Sequence, residues 1–304
     1  MKRLHVMAVV AMVATITGCS GSAPTLDTPD GAMRNMQQAV VNSQPDQLFK
    51  ALPASYQSDI NALVADAATR MDAELWNEST ALLLQVVGLL KSKRDLLLAS
   101  PMMASVPNKD DVAKNWDNGV ALLHALVNSE FTNIERLRQG NVAGLLAKDG
   151  GALMGKITSL MESSESSAEA GKELAKLKAM KVSVVSTGAN TAVVKAETPG
   201  EEPETIEMVK VEGVWIPKDM ATGFKDGIAE ARKNLAQIDF TSEEGKQKKT
   251  MAMMQMGAVK PMLAQLEAAK TQEELQAVFC GVMMMMMGGM QQGGGMSAPP
   301  SMME

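Results

Sequence analysis

Sulfur is the densest supply of reactive side chains in this sequence. Of its 27 methionines, 14 fall between Met251 and Met303. A thioether is a soft, neutral donor that selects Cu(I), and a thiolate beside it strengthens such a site. Cys280, Met283, Met284, Met286, Met287 and Met290 therefore form the candidate metal-ligand set, with Cu(I) as the metal it would take. Two other readings compete. Met251, Met254 and Met262 recur at helical spacing, which is the pattern of a packed face, and a methionine run set among Gly, Gln, Pro and Ser also suits an adhesive or disordered tail. The residues alone leave the three open.

Other chemistries find little to work with. His124 lies beside Leu123 and four residues after Val120, at the edge of an apolar helical stripe, and reads as a packing residue. One imidazole cannot build a zinc site alone. There is no G-x-S-x-G elbow, no G-x-x-x-x-G-K-S/T phosphate loop, no H-E-x-x-H and no paired C-x-x-C. Paired carboxylates leave no signature in sequence, so catalysis is unsupported by motif. Glu201, Glu202 and Glu204 lack the spacing of a calcium loop and read as a solvated hairpin. With 29 basic against 35 acidic residues the net charge is −6, and the short cluster Lys246, Lys248, Lys249 reads as a solvated helix face. Nucleic acid is excluded as a partner, because phosphate binding needs clustered cations. Three Trp, one Tyr and five Phe are too few for stacking platforms.

The amino terminus supplies an address. Lys2 and Arg3 precede residues 4–16, which are apolar apart from His5 and Thr15, the composition of a secretory signal peptide. That run is shorter than the roughly 20 residues a spanning helix needs. It closes on Ile16-Thr17-Gly18-Cys19, an aliphatic residue, two small residues and a cysteine. This resembles the lipobox of bacterial lipoproteins. The resemblance implies diacylglycerol on the Cys19 sulfur, removal of residues 1–18 and acylation of the new amino terminus, so that two or three acyl chains hold the protein on a membrane far more firmly than one. It also implies that Ser20 directs the product to the outer membrane, facing the periplasm, rather than to the inner membrane. Loss of residues 1–18 leaves 27 basic against 35 acidic residues, a net charge of −8. Cys280 then has no partner within the chain, which fits a small buried hydrophobe, an intermolecular disulfide or a metal ligand.

These readings frame an α+β fold that is mainly α: a helical bundle-like N-terminal part, a small antiparallel sheet of three to four strands, and C-terminal helices. Residues 1–18 are the signal peptide, 19–28 a lipidated tether, 29–180 the helical region, 181–282 the sheet with the C-terminal helices, and 283–304 a disordered Met/Gly-rich tail. Thr28 caps a helix to about residue 42, and Pro53 opens another with Tyr56, Ile60, Leu63, Val64, Ala67 and Met71 on one stripe. Asp72 caps a segment reaching toward Ala99 that is apolar nearly all round and belongs in the middle of a bundle. Asn108 with Asp111 caps the next helix, whose stripe is Val112, Trp116, Val120, Leu123 and Val127. Shorter helices follow over 131–139, 141–148 and 151–179, with a weak point at residues 163–167. Residues 182–187, 191–197, 205–211 and 214–216 are rich in β-branched side chains and separated by turns, which predicts a meander. The sequence Val211-Glu212-Gly213-Val214-Trp215, between helices on either side, resembles the sheet of NTF2-like domains. Asp219 starts a helix with Met220, Phe224, Ile228, Ala231 and Leu235 buried on the sheet. Thr241 with Glu244 and Thr271 with Glu274 read as capping boxes, and Pro261 as the first turn of a helix between them. The function this supports is binding or organising envelope proteins from a membrane-anchored position, without catalysis; the alternative is Cu(I) binding through the methionine-rich segment.

Overall fold

The computed structural model describes residues 26–164, 168–278 and 281. Among them the fold is α+β and mainly α, with one four-stranded antiparallel sheet. The strands are β1 (Lys181–Thr187), β2 (Thr191–Glu197), β3 (Glu204–Val211) and β4 (Val214–Pro217), in the order 1-2-3-4. They lie where the β-branched runs predict them. Glu212 and Gly213 both have positive φ (52° and 85°), the backbone that a two-residue hairpin matched to strand twist requires.

Alternation along β2 buries Ala192, Val194 and Ala196 on one face, where Met208 and Trp215 join them. Helix α1 (Pro29–Val41) covers this face with Ala32 and Met33, and Met180 closes its end. Thr28 caps α1 by accepting from the Gly31 amide at 3.1 Å. The opposite face, with Ile216 fully buried, takes α12 (Lys218–Leu235), which packs on β3, β4 and α3 (Ala54–Arg70). Met220, Phe224, Ile228, Ala231 and Leu235 form its inner stripe, each half-buried. Tyr56 of α3 stacks on Phe224 with ring centroids 3.7 Å apart. Between α1 and α3 lies a short α2 (Pro45–Lys50) that no periodicity announces.

The remaining helices are α4 (Ala73–Ser92), α5 (Arg94–Leu98), α6 (Pro101–Ala104), α7 (Lys109–Val127), α8 (Ile134–Arg138), α9 (Val142–Leu145), α10 (Gly151–Ser163), α11 (Ala168–Ala179) and α13 (Glu243–Ala268). A 3₁₀ turn at Glu130–Thr132 and a π turn at Leu146–Gly150 bracket α8 and α9. Helix α4 is central as expected, between α13 on one side and α7 on the other. Val87 packs with Val120 and Val127 of α7, while Leu89 packs with Leu266 of α13. It is nevertheless not buried all round, because Leu83 and Leu84 remain exposed. A helix flanked in one plane keeps two open sides.

Three expected helix starts are corrected. Asn108 sits in the left-handed region and makes no side-chain cap, and Asp111 turns inward instead. At α13 the cap is Ser242, which accepts from the Gly245 amide, and Thr241 donates its hydroxyl to Asp239 at 2.6 Å. Pro261 does not open a helix but lies inside the 26-residue α13. Proline there removes one backbone donor. The helix persists because Leu263 and Leu266, on either side of the next turn, pack against α4 and its successor. Thr271 and Glu274 do form the reciprocal box, each side chain bonded to the other's amide at 3.3 Å.

Candidate functional site

Cys19, Cys280, Met283, Met284, Met286, Met287 and Met290 lie outside the described residues. The other sequence candidates can be placed. His124 is exposed on α7, contrary to its expected packing role, and its backbone carbonyl accepts from the Asn128 side chain at 2.8 Å and from the Asn128 amide at 3.1 Å. The reason is phase: Val120 and Val127 face α4, and position 124 falls outside that stripe. Of the acidic hairpin, Glu201 is taken up by Lys176, which also pairs with Glu173, both at 2.6 Å. Hydrogen bonds from those two carboxylates, Glu173 first, push the Lys176 ammonium well above its ordinary range. Lys246 and Lys248 pair with Glu243 and Glu244 of their own helix. Lys249 does something the cluster did not announce: it crosses to α4 and meets Glu74 and Asp72, at 2.8 and 2.9 Å. Among the described residues no three His, Cys, Asp or Glu side chains converge on one point. Among them, too, no helix is long and apolar enough to cross a membrane.

The chain's entry into the fold is the best-defined feature adjoining a candidate residue. Only seven positions separate Cys19 from Leu26, which packs against the sheet core with Ala32, Met33 and Trp215. The Trp215 indole Nε1 donates to the Asp27 carbonyl at 3.2 Å. Asp30, one residue into α1, pairs with Arg34, and Arg34 also donates to the Val182 carbonyl of β1. Burial pushes the Asp30 carboxyl up, but hydrogen bonds from Thr28 and Arg34, with the Arg34 charge, hold it below its usual range. The last three residues of the expected tether, Leu26, Asp27 and Thr28, are thus fastened to helix and sheet. No sequence signal links Trp215 to a carbonyl 188 positions away.

A second polar cluster sits where α7 meets the end of α10. Asp111 and Asn115 are buried, Asn115 donates to the Asp111 carboxylate at 2.9 Å, and the Ser163 and Ser164 hydroxyls donate to Asn115 and Asp111 at 2.6 Å each. Each group has a partner, so the cluster locks two helices together. The arrangement offers no activated nucleophile. No protein family, curated protein or solved structure matches the chain.

Proposed function

We propose that this protein is an exported lipoprotein, anchored through acyl chains on Cys19, that binds or organises envelope proteins without catalysing a reaction. The observation that carries the reading is the junction of Ile16-Thr17-Gly18-Cys19 with a fold that begins only seven residues later. At about 3.3 Å per residue those seven positions span at most about 23 Å. A body fastened at Leu26 by Trp215 is then held close to the bilayer surface and presents its side chains to neighbouring proteins there. Acidic overall charge suits a periplasm-facing, outer-membrane location better than adhesion to anionic lipid.

Replacing Cys19 with Ser tests it directly. Wild-type protein from native envelopes should partition into detergent and show a mass that lacks residues 1–18 and carries acyl chains. The Cys19→Ser chain should keep its signal peptide and lose the acyl mass. A bare thiol on the wild-type protein would end the proposal.

A second reading makes the methionine-rich segment a Cu(I) site, and the open thioethers of Met251 and Met254 add two donors to those of the tail. Cu(I) titration of the full chain against a chain ending at Val282 decides it. Equal affinity would remove the metal.

A further inference from the structure

The fold uses methionine as a packing residue almost throughout. Met33, Met180 and Met208 are 8%, 0% and 1% exposed in the sheet core, and the other methionine side chains described outside α13 are half-buried. Helix α13 carries five, at positions 251, 253, 254, 256 and 262, and divides them. Lys249, Met256 and Leu263 recur every seven residues and face α4: Lys249 meets Asp72, the Ser79 hydroxyl donates to the Met256 sulfur at 3.5 Å, and Leu263 packs on the cluster of Leu89 and Leu266. At about 100° per residue, Met251 and Met254 stand roughly 140–160° round the helix from Met256, on the side away from α4. They are 62% and 71% exposed, while Met253, Met256 and Met262 are half-buried. Of the methionine side chains described, these two alone are exposed.

At such positions a methionine adds little to packing, and Lys, Gln or Leu would suit the helix backbone as well. What sets it apart there is its sulfur. A thioether is oxidised to a sulfoxide, which makes a flexible apolar side chain polar and disrupts a core or a packed contact that contains it. The cost therefore depends on where the oxygen arrives. At Met180 or Met208 it would enter the sheet core, and at Met256 it would enter the contact between α13 and α4. At Met251 and Met254 it would point into water and displace nothing. The two sulfurs sit one turn apart on the same side of the helix, about 4.5 Å along its axis, so one open spot carries both.

We propose that Met251 and Met254 form a peroxide-responsive modification site, at which hydrogen peroxide or a small alkyl hydroperoxide turns an apolar spot on α13 polar while the fold is kept. A lone pair on the thioether sulfur attacks one peroxide oxygen and the O–O bond breaks. Sulfur loses two electrons and gains the oxygen, and the other oxygen takes up the proton and leaves as water, or as an alcohol when the oxidant is an alkyl hydroperoxide. The site thus changes the surface that α13 presents to neighbouring proteins without changing what lies beneath. Nothing in this depends on the lipid at Cys19 or on a metal.

The test treats the full-length chain with excess hydrogen peroxide in the presence of a chelator and follows sulfoxide formation at each methionine by peptide mass spectrometry. Met251 and Met254 should oxidise about fivefold faster or more than Met256, and on the order of tens of times faster than Met180 and Met208. Equal rates at Met251, Met254 and Met256 overturn the proposal, and so does slow oxidation of the pair, which would mean that something covers it in solution. A second measurement isolates the effect on the fold, with glutamine supplying the polar oxygen of a sulfoxide. The chain carrying Met251→Gln and Met254→Gln should keep the wild-type helix content and urea midpoint, whereas Met256→Gln should lower the midpoint. A pair variant that is destabilised as much as Met256→Gln overturns the assignment.

Discussion

Replacing Trp215 with Phe separates the fastening of the chain's entry from the packing of the sheet. Trp215 is 2% exposed, in contact with the cluster formed by Ala32, Met33, Val194 and Met208, and its Nε1 donates to the Asp27 carbonyl at 3.2 Å. Phenylalanine keeps an aromatic ring in the cluster and removes the donor. The lost hydrogen bond should cost about 1 kcal/mol. The smaller ring leaves a gap that should cost about another 1–2 kcal/mol through lost contacts and residual cavity. The urea midpoint should therefore fall by an amount equivalent to about 2–3 kcal/mol at unchanged slope. The hydrogen-bond share acts locally on Leu26, Asp27 and Thr28. It should reappear in amide exchange at Ala32, whose N–H donates to the Thr28 carbonyl at 2.9 Å, as roughly fivefold faster opening. A destabilised protein whose Ala32 amide exchanges at the wild-type rate would refute the idea that Trp215 holds the entry. An unchanged urea midpoint would refute the packing assignment as well.

Asp72 caps α4 through the Leu75 amide at 2.9 Å and meets Lys249, and these, the amide first, hold its carboxyl below the ordinary range. A depressed carboxyl contributes stability above its unfolded value of about 4, and that contribution is lost as pH falls through the folded value. Asp72→Asn retains a capping oxygen and loses the charge, so the wild type should be ahead by under about 1 kcal/mol near neutrality and should lose that advantage as the pH falls through the depressed folded value, measured by urea unfolding across pH. An advantage that persists in acid would remove the charge from the account. Pro261→Ala restores a backbone donor inside α13 at an exposed position, and should raise stability by about 1–2 kcal/mol after the entropy that proline removes from the unfolded chain is returned, read as a higher midpoint of thermal unfolding. Gly245→Ala should do the opposite by 2 kcal/mol or more, on the order of a core overpacking, because a Cβ there would stand 2.0 Å from the Asp239 carbonyl oxygen; an alanine variant of wild-type stability would contradict the turn geometry.

The elements that were legible in the sequence are those whose local pattern and final packing agree. The four strands follow from β-branched runs flanked by Gly188-Ala189 and Glu212-Gly213, and α12 follows from the spacing of Met220, Phe224, Ile228, Ala231 and Leu235. Where tertiary contacts override a local rule, the pattern misleads. Asn108 followed three residues later by Asp111 has capping spacing, but Asp111 is worth more buried against Asn115 and Ser164. Pro261 looks like a beginning because proline favours first turns, yet Leu263 and Leu266 hold the helix through it. Thr241 and Ser242 are both capping residues, and Asp239 decides between them by bonding the Thr241 hydroxyl and the amides of both. Those bonds, the hydroxyl first, draw its carboxyl down to about 2. The α7 stripe Val112, Trp116, Val120, Leu123 and Val127 holds only in part: Trp116, Val120 and Val127 pack with Val87 of α4, while Leu123 stays 37% exposed. None of the cross-chain ties, such as Trp215 to Asp27 or Lys249 to Asp72, has a local signature, because each joins positions brought together only by the finished fold.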